Sequence, residues 1–272
     1  MQLKFVKMHG LGNDFMVVEW PRGEPPPPAD LVRRWADRRT GVGFDSLLIV
    51  DKGRNGRAPA YRVVNADGGE AEQCGNGARC IARYLAPGPE GVVTLESAGG
   101  VVEARVRADG HVSVCLGEPD FRPGALPFLA PEEADRYRRG LATGEVEFGA
   151  VSMGNPHAII AVDSVESAPV GILGVELGAH PDFPRGVNVG FMERVDEARI
   201  RLRVYERGAG ETRACGTGAA AAVAVGRRWG ALGETVAVSL PGGELDVRWR
   251  GPGTPLWQTG PAALVYEGHI EL

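Results

Sequence analysis

Cys74-Gly75-Asn76-Gly77-Ala78-Arg79-Cys80 and Cys215-Gly216-Thr217-Gly218-Ala219-Ala220-Ala221 share one pattern: a cysteine, a glycine, a small polar residue and a second glycine, leading into a run of helix formers. The agreement extends upstream at the same offset of 141 residues. Tyr61-Arg62-Val63-Val64 aligns with Leu202-Arg203-Val204-Tyr205, and Gly69-Glu70 with Gly210-Glu211. A motif that recurs with its flanks intact marks an internal duplication.

The flanking elements recur in the same order. In the first half, strands are predicted over 2–8 and 15–20 around the turn Gly10-Leu11-Gly12-Asn13-Asp14. A helix N-capped by Asp30 follows to about Arg39, with Leu31, Trp35 and Ala36 inward. Strands at 47–50 and 61–65 lead through a Gly-rich loop to the helix 75–86, whose apolar face carries Ile81, Tyr84 and Leu85 and which Pro87-Gly88-Pro89 ends. A meander of strands at 92–97, 101–107 and 111–116 turns at Gly99-Gly100 and Asp109-Gly110. Residues 118–131, rich in Pro and Gly, form the crossing. The second half then gives strands at 145–153 and 158–162, a helix at 169–178, strands at 186–191 and 200–205, the helix 215–229, and strands at 235–240 and 244–250. Gly154-Asn155-Pro156-His157 stands where Gly12-Asn13-Asp14-Phe15 stood. One helix among many short strands, occurring twice, is a duplicated α+β fold.

Composition narrows the function. A chain of 272 residues, 43% hydrophobic and 24% charged, has the balance of a soluble globular protein. A net charge of −5 with no basic block argues against nucleic acid or an anionic membrane as partner. The N-terminal stretch lacks the apolar segment of a secretory signal, and the longest apolar run, 219–225, is far short of the roughly 18 residues that span a bilayer. A cytoplasmic location is therefore expected. Four cysteines are too few for a disulfide scaffold and none forms a C-x-x-C pair, so thiols rather than a metal site are expected.

A cysteine at the mouth of a helix faces unpaired N–H groups and the positive end of the helix dipole. Such a thiol ionises more easily, with a pKa falling from about 8.5 toward about 7. The same N–H groups hold a carboxylate, and the adjacent glycine lets it approach. Two such cysteines facing one small acid from opposite sides suit two-base racemisation or epimerisation: Cys74 or Cys215 takes a proton from one face of a carbon, and the other returns one to the opposite face. A cysteine hydrolase needs one Cys and one His and leaves the second Cys unexplained. Cys80 and Cys115 lack the motif and read as small buried hydrophobes.

Amides cluster around the two motifs: Asn13, Asn65, Asn76, Asn155 and Asn188. Each is either a turn residue or a neutral contact for ammonium and carboxylate groups. His157 and Glu206 either orient and deprotonate a thiol or, for the histidine, satisfy a backbone partner in the core. Arg207 either clamps a carboxylate or is a solvated loop residue.

Taken together, His9-Gly10-Leu11-Gly12-Asn13-Asp14-Phe15, Asn65-Ala66-Asp67-Gly68, the Cys74 motif, Met153-Gly154-Asn155-Pro156-His157 and the run from Glu206 through Gly218 resemble diaminopimelate epimerase over essentially the whole chain. The resemblance implies cofactor-independent conversion of LL-2,6-diaminopimelate to the meso form, feeding lysine and peptidoglycan synthesis, by a protein that is commonly a homodimer. It implies two lobes, each a barrel-like sheet around a central helix, with the active site in the cleft between them: 1–118 with a returning strand at 263–272, and 119–262. It makes Cys74 and Cys215 the acid/base pair, with His157 and Glu206 in support. Substrate contacts fall to Asn13, Asn65, Asn155, Asn188, Glu206 and Arg207, and helix N-terminal donors to Gly75, Asn76, Gly216 and Thr217. Ser46 is a departure, because many members place a longer glutamine there; its contact is either lost or bridged by water. A proline racemase or hydroxyproline epimerase of the same fold is the alternative, and phenazine-biosynthesis-like isomerases lack the cysteine pair.

Overall fold

The computed structural model describes residues 2–20, 23–53, 57–71 and 75–271. Cys74 lies outside the described residues. The chain forms two compact units, Met1–Val114 with Gly260–Leu272, and Cys115–Thr259.

In the first unit, β1 (Gln2–Gly10) and β2 (Asn13–Glu19) make a hairpin. Its two turn residues, Leu11 and Gly12, both have positive φ, 58° and 80°. That is the handedness that matches the twist of the flanking strands. Burial of the Leu11 side chain offsets the strain of a non-glycine residue there. Helix α1 (Ala29–Ala36) crosses to β3 (Ser46–Asp51), parallel to β2. Next come β4 (Ala60–Asn65), β5 (Glu70–Ala71), α2 (Gly75–Leu85), β6 (Gly91–Ser97), β7 (Gly100–Val106) and β8 (His111–Cys115). α2 packs against β1, β2, β3, β6 and β7, and α1 packs on β3. The central strands are thus covered on both faces. This explains why Phe15-Met16-Val17-Val18 and Leu47-Leu48-Ile49-Val50 are continuous apolar runs, all buried, rather than alternating ones.

The second unit opens with β9 (Tyr137–Leu141) and repeats the plan: β10 (Gly144–Ser152), β11 (Pro156–Val162), α3 (Val170–Gly178), β12 (Asn188–Arg194), β13 (Arg199–Glu206), β14 (Gly210–Thr212), α4 (Gly216–Arg228), β15 (Thr235–Leu240), β16 (Gly243–Arg248) and β17 (Trp257–Pro261). The last strand, β18 (Ala263–Glu271), pairs antiparallel with β1 in the first unit. The ladders correspond rung for rung. β2 and β3 are parallel and β3 and β4 antiparallel, as are β11–β12 and β12–β13. β4 meets β6 in parallel, as β13 meets β15. β9 flanks β10 as β18 flanks β1. The duplication read from the cysteine motifs is therefore one of topology as well as sequence.

α4 is buried at every position from Gly216 through Gly226. Only small side chains allow strands to close around a helix so tightly. A Cβ on Gly149 of β10 would lie 2.5 Å from Val225 Cγ1, and one on Gly226 would lie 2.3 Å from Leu232 Cδ1. Ala219 to Ala222 supply helix propensity without bulk.

Several local expectations change. Pro28, not Asp30, precedes α1, and the helix ends at Ala36 rather than near Arg39. The Asp37 carboxylate accepts the backbone N–H of Arg39 and Thr40, which turns the chain. Val32 joins Trp35 and Ala36 in the core, while Leu31 is half-buried. β9 is unanticipated, because Tyr-Arg-Arg-Gly-Leu carries no strand-like alternation. Cys80 is buried, but Cys115 is only half-buried.

The packing around α4 predicts that Gly149→Ala lowers the unfolding free energy by about 1–3 kcal/mol in chemical denaturation. Gly171→Ala, on the exposed face of α3 with nothing within 4 Å of the new methyl, should be neutral or stabilise by up to about 1 kcal/mol. Equal effects at the two sites would contradict this packing.

Candidate active site

Each unit presents its polar residues on one rung, where its parallel strand pair begins. In the second unit His157 of β11 stands beside Asn188, the first residue of β12. Val189 faces Tyr205 on β13, which brings Asn188 to the strand end that carries Glu206. In the first unit the same register gives Phe15, Ser46 and Asn65. Asn13 and Asn155 precede these rungs at equivalent places.

Cys215 N-caps α4 and is buried. Its thiol lies 3.7 Å from Thr217 Oγ1, with the Glu206 carboxylate near enough to act on it. The sulfur does not close a side-chain cap on the helix, yet the Gly218 N–H faces it closely enough to favour the thiolate. The second glycine of the motif has a steric reason: a Cβ on Gly218 would stand 3.2 Å from the sulfur and 3.0 Å from Val204 Cγ2. Burial, and then the neighbouring Glu206 carboxylate, push the Cys215 thiol well above its ordinary range, against the opposing pull of Gly218 and Thr217. This reverses the sequence expectation of a lowered thiol pKa. A helix mouth lowers a pKa only while the sulfur stays hydrated and free of like charge.

The surrounding groups form a directed chain. His157 Nε2 lies 3.0 Å from Asn155 Oδ1, which can only accept, so Nε2 carries the proton. Asn155 Nδ2 donates to Thr217 Oγ1 at 3.2 Å. His157 is fully buried, and among the described residues its Nδ1 has no hydrogen-bond partner. Burial and the Arg207 charge lower its pKa to about 3, so at neutral pH it is an uncharged imidazole with an available lone pair. Asn188 Nδ2 donates to Pro156 O at 3.0 Å, and its Oδ1 accepts the Arg207 N–H at 2.9 Å. Asn188 is therefore committed to holding the loop on which Arg207 sits. Arg207 is exposed and donates to Arg185 O at 2.8 Å. The Thr212 hydroxyl donates to Glu206.

In the first unit α2 begins with Gly75 and Asn76, both buried. Asn76 Nδ2 donates to Asn13 Oδ1 at 3.2 Å, as Asn155 meets Thr217 in the other unit. Arg79, fully buried, donates to Asn76 Oδ1 at 2.6 Å and to Pro261 O at 3.4 Å. This fixes which end of the Asn76 amide faces Asn13. Asn13 Nδ2 also donates to Asp45 at 3.0 Å. Asp45 belongs to an ionic cluster with Arg38, Asp14 and the buried Lys7. Burial alone would raise Asp14, but hydrogen bonds from Arg38 and Lys7 prevail and hold it at about 2. Ser46 is buried, with Oγ 3.5 Å from Asn65 Oδ1, and Asn65 is exposed.

Three supports were not singled out from the sequence. Gln258, fully buried, donates to Gly216 O at 2.6 Å and holds the first turn of α4; nothing near it in sequence marks that role. The Lys7–Asp14–Arg38–Asp45 cluster depends on tertiary contacts. Arg79 had a signal: position 220, its equivalent in the duplication, is alanine, so a large cation among small residues three places after Asn76 needs a partner. Among the described residues no group of three or more His, Cys, Asp or Glu could hold a metal ion. No helix among them is long and apolar enough to cross a membrane.

The family model described as diaminopimelate epimerase matches residues 5–122 and 149–265. The diaminopimelate epimerase of Stutzerimonas stutzeri is 49% identical over 276 residues, and that of Nitrosomonas europaea 48% over 275, each alignment covering 100% of both chains. A crystal structure of a hydroxyproline epimerase from Agrobacterium vitis superposes with a TM-score of 0.72 over 99% of this chain and 92% of that one, at 19% identity, which is a likeness of fold. A topology doubled around two cysteine motifs, and a match that runs through both copies of it, place the chain in the diaminopimelate epimerase family.

Proposed function

We propose that the protein interconverts LL-2,6-diaminopimelate and the meso form without a cofactor, with Cys74 and Cys215 as the two acid/base groups. The observation that carries this reading is the Cys215 setting: a buried thiol at a helix mouth, under the influence of the Glu206 carboxylate and linked through Thr217 and Asn155 to a neutral imidazole. The part of Cys74 rests on the duplication and on membership of the family.

The proton balance is simple. A thiolate removes the α-hydrogen and becomes a thiol, while the opposite thiol delivers its proton to the other face and becomes a thiolate. The raised Cys215 pKa makes it the donor in the resting enzyme and leaves Cys74 as the base. In the reverse direction Glu206 is the group placed to draw the proton from Cys215. Negative charge gathers on the substrate carboxylate in the transition state, where the N–H groups of Gly75, Asn76, Gly216 and Thr217 stabilise it. Asn13, Asn65, Asn155, Asn188, Glu206 and Arg207 contact the substrate. Asn188 acts partly through Arg207, whose backbone it holds. Ser46, already near Asn65, reaches substrate through water.

The reaction belongs to cytoplasmic lysine and peptidoglycan synthesis, and the enzyme works as a homodimer. Leu264, Val265 and Tyr266 support the second copy. They form a consecutive exposed apolar run on β18, at a bulge in its pairing with β1.

With LL-diaminopimelate and L-proline offered side by side, only diaminopimelate should turn over. Cys74→Ala and Cys215→Ala should each lose at least about a thousandfold in kcat/KM, and Cys80→Ala should stay near wild type. Turnover of proline alone, or retained activity in either of the first two variants, would overturn the assignment.

A pH profile tests the role of Glu206. Removing its negative charge takes away a cause of the raised Cys215 pKa, so the alkaline limb of kcat/KM for Glu206→Gln should move to lower pH, with kcat reduced. An alkaline limb unmoved or shifted upward would remove Glu206 from contact with the thiol.

A further inference from the structure

The second unit contains a cavity of about 630 Å³ that none of the residues assigned to catalysis or substrate lines. Ligand sites usually fall between roughly 300 and 1,000 Å³. Two aromatic rings lie along its wall, Phe121 and Trp249, with centroids 6.1 Å apart and planes inclined at 35°. Three guanidinium groups line it as well, and their charges are not equally spent.

Arg122 is paired with Asp120, Nη2 to Oδ2 at 2.5 Å. Arg228 lies over the Phe121 ring, 4.6 Å from its centroid, and is paired with Glu133 at 2.7 Å and with Asp135. Among the described residues Arg227 has no carboxylate partner. Nη2 reaches Arg250 O at 3.5 Å, the Nε–H is buried without an acceptor, and Cζ stands 6.0 Å from the Trp249 ring. A buried donor without an acceptor is costly, and an anion that draws the guanidinium into the cavity supplies one.

We propose that this cavity binds a planar aromatic carboxylate carrying a single negative charge, with the carboxylate on Arg227 and the ring against Phe121 and Trp249. A flat apolar body suits two rings at this separation. The lining carboxylates of Glu118, Asp120 and Glu133 oppose a second or third negative charge, which disfavours phosphates and polyphosphates. The site lies at the C-terminal turn of α4, the opposite end of the helix from Cys215. It does not depend on the proposed reaction.

Isothermal titration of the full chain tests this with indole-3-carboxylate, indole-3-carboxamide and inorganic phosphate as probes. The carboxylate should bind saturably at one site, and the neutral amide and phosphate at least about tenfold more weakly. Arg227→Met, which keeps the aliphatic stem, should cost about tenfold or more in affinity for the carboxylate. Phe121→Leu should weaken carboxylate and amide alike and covers the case in which Arg227→Met does not fold. No saturable binding below about 10 mM, equal affinity for acid and amide, or unchanged affinity in both variants would overturn the proposal.

Discussion

A thiol buried at the mouth of a helix sets the terms for the second unit. The first turn of α4 carries no side-chain cap, and the helix is held by enclosure. Gly218 lets the chain close against the sulfur and Val204, Gln258 takes the Gly216 carbonyl, and the alanine run lets the strands pack close. Enclosure carries an electrostatic cost. It desolvates the sulfur and brings Glu206 beside it, and both favour the thiol over the thiolate. A thiol that keeps its proton at neutral pH follows from packing as much as from the cysteine itself.

The duplication gives each unit the same scaffold with different chemistry at matching positions. His157 occupies the place of Phe15, Glu206 that of Asn65, Asn188 that of Ser46, and Thr217 that of Asn76. The second unit thus places an imidazole and a carboxylate on the rung that serves its cysteine, whereas the first offers an amide, a hydroxyl and a phenyl ring. The first unit holds its amides through charge at one remove, by Arg79 under Asn76 and by Asp45 against Asn13. Equal scaffolds with unequal side chains are what the proposed pair of acid/base groups, resting in opposite protonation states, would require.

Much of this was legible in the sequence because it is local or repeated. The cysteine-glycine motif fixed where both helices start, the glycine turns fixed the hairpins, and the offset of 141 residues anticipated the shared topology. What was not legible depends on tertiary contact. The direction of the Cys215 shift requires knowing that the sulfur is dry and that Glu206 reaches it. The burial of Arg79, the span of Gln258 to Gly216 and the pairing of β9 with β10 are long-range facts that leave little local trace. The bounds of α1 moved for a smaller reason: Asp30 has the chemistry of an N-cap, but Pro28 already stands at that position.

The central claim is that two monoprotic groups act from opposite faces of one carbon. The most direct measurement follows deuterium at the α-carbon when LL-diaminopimelate is converted in deuterated water, sampled at low conversion. A thiolate that removes hydrogen and a separate thiol that delivers deuterium predict label in the meso product and none in the recovered substrate. Label entering the recovered substrate as fast as the product would mean that one group serves both faces, and would contradict the account.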